Sequence, residues 1–412
     1  MTPAQDAYER RQRQFISKTI QCQQFKILKR RYELIEHNYL VAAQWLFCAL
    51  VASLISIRVG ISVALIEIMV GIMAGNIIQL EITEWVNFLA GFGAVILTFM
   101  AGAEIEPRTL KEHFWESIII GTLAFLLPFL VCMAGAYYVF HWDPNASKIA
   151  GIALSTTSVA VVYAVMIESG LSSTSLGQAI LAACFVNDLG TVLALGLLFT
   201  GFTMKLLMFS IVLVVTVLVS TPLASRIFQK YSGKVSEPEI KFIFFVLALL
   251  AYAALYGGSE AVLPAYILGM VMAGFFTMYK ATLHKIRAII FTAFTPFYFI
   301  KAGILVSFNA LVATAGAILV YLLFKTLAKF IGVLPTTKYF GYGKRRGIYT
   351  TLLMSTGLTF GTISSLYGYT HHYITRDQYS VLVAAVILSA VVPTLIAQKF
   401  FYPMPNGNDN VD

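Results

Sequence analysis

The chain has 412 residues, of which 58% are hydrophobic and only 12% charged, with a mean hydropathy of +0.79 and a formal net charge of +9. Soluble domains average about 25% charged residues, so this composition excludes an ordinary soluble globular protein. Short alternating apolar segments are missing, which excludes a β-barrel and leaves an all-α polytopic membrane protein.

Residues 1–38 read as a basic N-terminal extension, with Arg10, Arg11, Arg13, Lys18, Lys26, Lys29, Arg30 and Arg31. They lack an apolar central region, so no cleavable signal peptide is expected. Residues 39–403 read as a membrane domain of about thirteen transmembrane helices. The spans fall near 39–57, 61–80, 86–104, 117–140, 148–168, 176–200, 204–222, 240–256, 261–279, 288–308, 309–333, 347–369 and 378–401. Residues 404–412 form a short polar tail, with no soluble regulatory domain expected after the membrane part.

Loop charges orient these spans. Arg58, Arg108, Lys111, Arg226, Lys230, Lys234, Lys241, Lys280, Lys285, Arg287, Lys338, Lys344, Arg345, Arg346 and Lys399 share a side with the C-terminus, while the opposite loops carry only Lys148, Lys205 and Arg376. The positive-inside rule therefore predicts a cytoplasmic C-terminus, in a bacterial inner membrane. An odd number of spans then leaves the basic N-terminal segment outside, against the same rule. Cys22, Cys48, Cys132 and Cys184 show no pairing or metal spacing, and three of them lie in apolar runs as packing residues.

Asp188 is the only carboxylate in an apolar stretch that runs from Gly170 past Gly201. A charge at hydrocarbon depth costs at least about 2.5–3.5 kcal/mol, so an acid there reads as a functional site on an ion or proton path. Asn187 beside it can hydrogen-bond either protonation state. Ser155, Thr156, Thr157 and Ser158 interrupt the fifth span, and Ser355-Thr356-Gly357-Leu358-Thr359 interrupts the twelfth in the same way. Seven spans separate the two runs, so they predict an inverted repeat whose two broken helices meet. Non-helical backbone at this depth requires surrounding protein or a water-filled cavity. Its free carbonyls and hydroxyls suit a hard monovalent cation such as sodium or potassium, with Asp188 supplying the negative charge. The same carboxylate binds a proton, so cation and proton would compete for one site.

Lys325 and Lys329 interrupt the eleventh span on one helix face. Lys325 is the deeper and the candidate functional charge, while Lys329 is expected to snorkel to the cytoplasmic interface. Lys301 is buried by pattern and is expected to pair with Glu67, Glu104 or Glu260. Glu104 and Glu106 precede Pro107 and read as interface-exposed, and His371-His372 reads as an exposed loop. No phosphate-binding glycine loop, nucleophile elbow or metalloprotease signature occurs, and neither an enzyme, a cofactor nor a nucleic-acid partner is expected.

Taken in order, these residues resemble the monovalent cation:proton antiporters of the second cation:proton antiporter family. The likeness covers roughly residues 40–400. It rests on the run Leu97 to Pro107, the hydroxyls from Ser155, the Asn187-Asp188 pair, Ala265 to Met270, Phe297 to Gly303 and the Lys325 span. The resemblance implies a homodimer in the bilayer, each protomer having a dimerisation domain and a mobile core built from helices near 86–200 and 309–401. It also implies that Asp188 is the ion-binding aspartate, Lys325 the lysine preceding the second broken helix, and Thr156, Thr157, Thr356 and Gly357 the crossing region. Electrogenic relatives carry a second Asp where this chain has Asn187, which points to electroneutral exchange of Na+ or K+ for H+. Two other readings are an organic-anion/sodium symporter of similar broken-helix fold and a non-transporting membrane sensor.

Overall fold

Helices make up all the regular structure described in the computed structural model, which covers residues 35–403 apart from 60, 105–112, 201–203, 232, 260 and 277. The basic extension up to residue 34, the tail from 404, Glu106 and Glu260 lie outside the described residues. Among the described residues, nine helical stretches are long and apolar enough to cross a membrane. The chain divides into two units at Phe47. The first holds the start of α1 (Ile35–Val59). The second, from Cys48, holds two short π-helical stretches, Ala74–Ile78 and Gly196–Thr200, each continuing the α-helix before it, and every other described α-helix.

In chain order these are α2 (Val63–Met73), α3 (Glu84–Ala103), α4 (Phe114–Tyr138), α5 (Pro144–Ser155), α6 (Val159–Glu168), α7 (Ser175–Leu195), α8 (Met204–Tyr231) and α9 (Pro238–Tyr256). Then follow α10 (Val262–Phe276), α11 (Lys280–Ala293), α12 (Thr295–Ile304), α13 (Phe308–Ala313), α14 (Ala315–Tyr339), α15 (Lys344–Met354), α16 (Thr359–Thr370) and α17 (Arg376–Phe400). The span predicted at 288–308 is two helices. Phe294, at φ −123° and ψ −44°, leaves helical geometry, and Pro296 in the first turn of α12 starts a new helix because its missing N–H costs nothing there.

Two groups of helices pack separately. In one, α3 lies along α10 and α12, and α2 lies along α12. The backbones of α3 and α10 touch: a Cβ on Gly269 would sit 2.2 Å from the Phe99 carbonyl oxygen, and one on Gly102 would sit 2.5 Å from that of Tyr266. Small residues at a helix contact permit this approach. In the other group, α4 packs on α5, α7 and α14, α16 packs on α5 and α17, and α15 packs on α14 and α17. The segment near 86–104, assigned to the mobile core by resemblance, packs as α3 with the first group. The groups meet along a seam where α6 lies against α3. Helix α8 leaves Leu207, Leu218 and Val219 exposed, an apolar outer wall suited to acyl chains.

Candidate functional site

Two helices are interrupted, and both gaps fall on hydroxyl-rich runs. Helix α5 stops at Ser155, Thr156 is extended (φ −61°, ψ 150°), and Ser158 restarts the chain as the N-cap of α6 by accepting from Val161 N at 3.4 Å. Helix α15 stops at Met354 and α16 starts at Thr359, after Leu358 at φ −153°. The hydroxyls make these gaps tolerable because they satisfy backbone carbonyls that a broken helix leaves open. Ser155 Oγ donates to Ile152 O at 2.8 Å, Thr156 Oγ1 to Ala153 O at 3.1 Å, Ser355 Oγ to Thr351 O at 2.8 Å and Thr356 Oγ1 to Leu353 O at 2.8 Å.

The gaps are stitched to each other. Thr157 Oγ1 donates to Met354 O at 2.7 Å, and Ser158 N donates to Thr356 Oγ1 at 3.3 Å. Two carbonyl-bearing helix ends, at Ser155 and Met354, thus face two amide-bearing ends, at Val159 and Thr359, and their partial charges oppose one another. Residues Ser155 to Ser158, Ser355 and Thr356 are all buried.

Helix α7 brings Asn187 and Asp188 to the first gap. The Asn187 amide is used at both ends: Oδ1 accepts from Thr157 N at 2.8 Å, and Nδ2 donates to Ser155 O at 3.2 Å. Asn187 therefore splints the interrupted backbone. Asp188 is 5% exposed, and its Oδ1 has no hydrogen-bond donor. A buried carboxylate oxygen that accepts no hydrogen bond from the protein can take a proton or coordinate a metal ion.

Helix α14 supplies both lysines. Lys329 does not snorkel: it is fully buried, and its Nζ donates to Ser155 O at 3.0 Å and to Thr157 Oγ1 at 2.9 Å. The ammonium lies against the carbonyl end of α5, where a positive charge is stabilised. Lys325 is equally buried and donates to Ser389 Oγ of α17 at 2.9 Å. It crosses the second gap at Gly357, where an added Cβ would lie 2.3 Å from Nζ. Four-residue spacing on one face had already linked the two lysines, but sequence position misjudged how deep the second one goes. Ser389 carried no signal in the sequence.

Lys301 lies elsewhere. It lines a cavity of about 420 Å³ together with Tyr298, Leu358, Thr359 and Thr362, so the cavity reaches the second gap from one side. Among the described residues it forms no ion pair with Glu67 or Glu104, the partners expected for it. Tyr298, one turn before it, contacts Thr359 through the two hydroxyls. Glu104 is not interface-exposed either. Its carboxylate, 6% exposed, accepts from Arg287 and from Tyr163 OH, the latter at 2.7 Å. Glu67 is 2% exposed with Oε2 unpaired. His371 and His372 are exposed, and no cluster of metal-ligating side chains occurs among the described residues. Cys48, Cys132 and Cys184 are free and buried.

The chain has relatives in sequence and in fold. Residues 46–401 match the family described as sodium/hydrogen exchanger, transmembrane. The chain belongs to that family of monovalent cation:proton antiporters; it is an integral membrane protein and not an enzyme. The probable Na(+)/H(+) antiporter 3 of Methanocaldococcus jannaschii is 24% identical over 355 residues, which cover 82% of this chain and 89% of that protein. The Na(+)/H(+) antiporter of Enterococcus hirae is 24% identical, covering 85% and 94%. The Na(+)/H(+)-K(+) antiporter GerN of Bacillus cereus is 23% identical, covering 84% and 92%. Among solved structures, that of the sodium proton antiporter MjNhaP1 from M. jannaschii at pH 8 superposes with a TM-score of 0.66 at 15% identity, over 87% of this chain and 97% of that one, and so shares the fold.

Proposed function

We propose that this protein exchanges a monovalent cation, Na+ or K+, for protons by alternating access around Asp188. Its similarity to Na+/H+ and Na+/H+-K+ antiporters supports cation/proton exchange. The observation that carries the residue-level reading is the open Oδ1 of a buried Asp188 beside two interrupted helices whose gap hydroxyls, Ser155 to Ser158, Ser355 and Thr356, are hydrogen-bonded. A bare carboxylate there is a buried negative charge without a direct ion-pair partner, so binding of a proton or a cation is favoured. One excludes the other, and the occupant sets what crosses. Asn187 keeps the gap open to the right width, and Lys329 neutralises the carbonyl end of α5.

The exchange is electroneutral in this reading, because Asn187 leaves a single titrating acid in the pair. Neither Lys325 nor Lys329 forms an ion pair with Asp188 among the described contacts; both ammonium groups are held by hydroxyl or carbonyl oxygens. That occupancy leaves neither Lys325 nor Lys329 free to meet an organic anion. The moving part comprises α4 to α7 and α14 to α17, carried against a scaffold that includes α2, α3, α10 and α12 and that pairs with a second copy.

Cation-dependent proton flux in proteoliposomes, with membrane potential clamped, tests this. Asp188→Asn is expected to abolish flux; undiminished flux in that variant removes the assignment. A voltage-sensitive current in the native protein would overturn electroneutrality, and a monomer in detergent and bilayer would remove the dimer.

A further inference from the structure

The two sides of the interrupted helices are unlike. On one side the cavity reaches Leu358 and Thr359, and Thr362 and Ile363 of α16 form part of its wall. On the other, α6 runs from the first gap with every residue from Val159 to Met166 buried. Tyr402, just past α17, donates to Ser169 O at the end of α6 at 2.6 Å, so α6 runs toward the face that carries the end of α17. The cavity is on the opposite face.

On the closed side, one carboxylate oxygen at the end of α3 gathers three donors from two other helices. Tyr163 of α6, fully buried, donates its hydroxyl to Glu104 Oε1 at 2.7 Å. Arg287 of α11 donates to the same oxygen through Nε at 3.1 Å and through a terminal nitrogen. Glu104 caps α3. Val95 is the last α3 residue lining the cavity, and nine residues at about 1.5 Å each put Glu104 roughly 13 Å farther along the helix. Glu104 and Arg287 alone would tie α3 to α11. Tyr163 extends the tie across the seam to the interrupted helix. Charge-assisted hydrogen bonds to a carboxylate this buried are stronger than neutral ones.

We propose that Tyr163, Glu104 and Arg287 form a latch that seals the ion path on the face opposite the cavity, and that it parts and re-forms once in each exchange cycle. This rests on the alternating-access reading above. In the conformation described here the latch is closed and the cavity side open. For Asp188 to reach the other face, the Tyr163 hydroxyl leaves Glu104, while the Arg287 pair stays on the scaffold and keeps the carboxylate neutralised.

The test uses the full-length protein in liposomes with a Val162→Cys reporter, probed by a membrane-impermeant thiol reagent added from the latch face and read by mass spectrometry of that peptide. Modification is expected to be slow in the reporter protein and about tenfold faster when Tyr163→Phe or Glu104→Gln is added, each weakening a hydrogen bond to a charged group. Arg287→Lys, which keeps the charge but loses the fork, is expected to fall between. Equal rates in all the variants would overturn the latch. If Tyr163→Phe does not fold, Glu104→Gln and Arg287→Lys carry the same decision. Failure of the exchange reading shows separately, as undiminished flux in Asp188→Asn, whatever the labelling rates.

Discussion

At the first gap, Asn187 and Asp188 are adjacent residues with opposite duties. The amide spends both of its ends on backbone, at Thr157 N and Ser155 O, whereas the carboxylate keeps an oxygen open. Asn187→Asp would lose the donor to Ser155 O and place a second acid beside the first. An unpaired buried polar group costs about 1–3 kcal/mol, so a lower unfolding temperature in detergent is expected, together with reduced flux. Lys329→Met removes the ammonium from Ser155 O and Thr157 Oγ1 and is expected to reduce exchange more than Lys301→Met, in the same flux assay. Asp188 was legible because a lone acid in an apolar run has few structural explanations. Lys329 was not. Its depth depends on which helix end α14 presents to the gap, and four-residue spacing is equally compatible with a snorkelling and a buried partner for Lys325.

Among the elements, the interrupted helices were readable because hydroxyl clusters and Gly357 are costly within an apolar helix unless the helix ends there. The bend at Phe294 was hidden, since apolar residues continue through it and only Pro296 marks the restart. Helix pairings were hidden too: nothing within α3 says that its partner is α10. Their close approach can be tested by Gly269→Ala, whose methyl would meet the Phe99 carbonyl at 2.2 Å. Overpacking of this kind costs about 1–3 kcal/mol, read as a drop in thermal stability. A second tie joins the first turns of α4 and α7 to the loop before α15. Ser175 Oγ meets His113 Nε2 at 2.7 Å, His113 Nδ1 meets Glu116 Oε2 at 2.5 Å, and Tyr342 donates to the other Glu116 oxygen. Burial, and then the Glu116 carboxylate, push the Tyr342 phenol up, so it remains a donor at every physiological pH. Tyr342→Phe is therefore expected to lower stability by about 1–3 kcal/mol with no change in the pH profile of flux.

For the molecule as a whole, composition was enough to place the chain in a bilayer and the family resemblance implied two parts, but which helices fall in each packed group emerged only from the contacts. The long-range position of Lys301 has a measurable effect at this scale. A unit positive charge acting over about 10 Å of water repels a cation by about 0.4 kcal/mol, roughly a twofold change in apparent affinity. Lys301→Gln is expected to lower the apparent KM for the cation added from the cavity side by that factor at low ionic strength, and the difference is expected to fade as salt screens it.

The wall of that cavity is built largely from hydrocarbon side chains, among them Phe88, Ala90, Phe92, Ala94, Val95, Leu255 and Val262. Such a surface offers an alkali ion nothing to trade for its hydration shell, so on the proposed reading the ion would travel inward as a hydrate until it met hydroxyl and carbonyl oxygens at the severed helix ends. Exchange around Asp188 as proposed would thereby concentrate dehydration at one depth, and the choice between a small tightly hydrated ion and a larger loosely hydrated one would be made there and not along the approach.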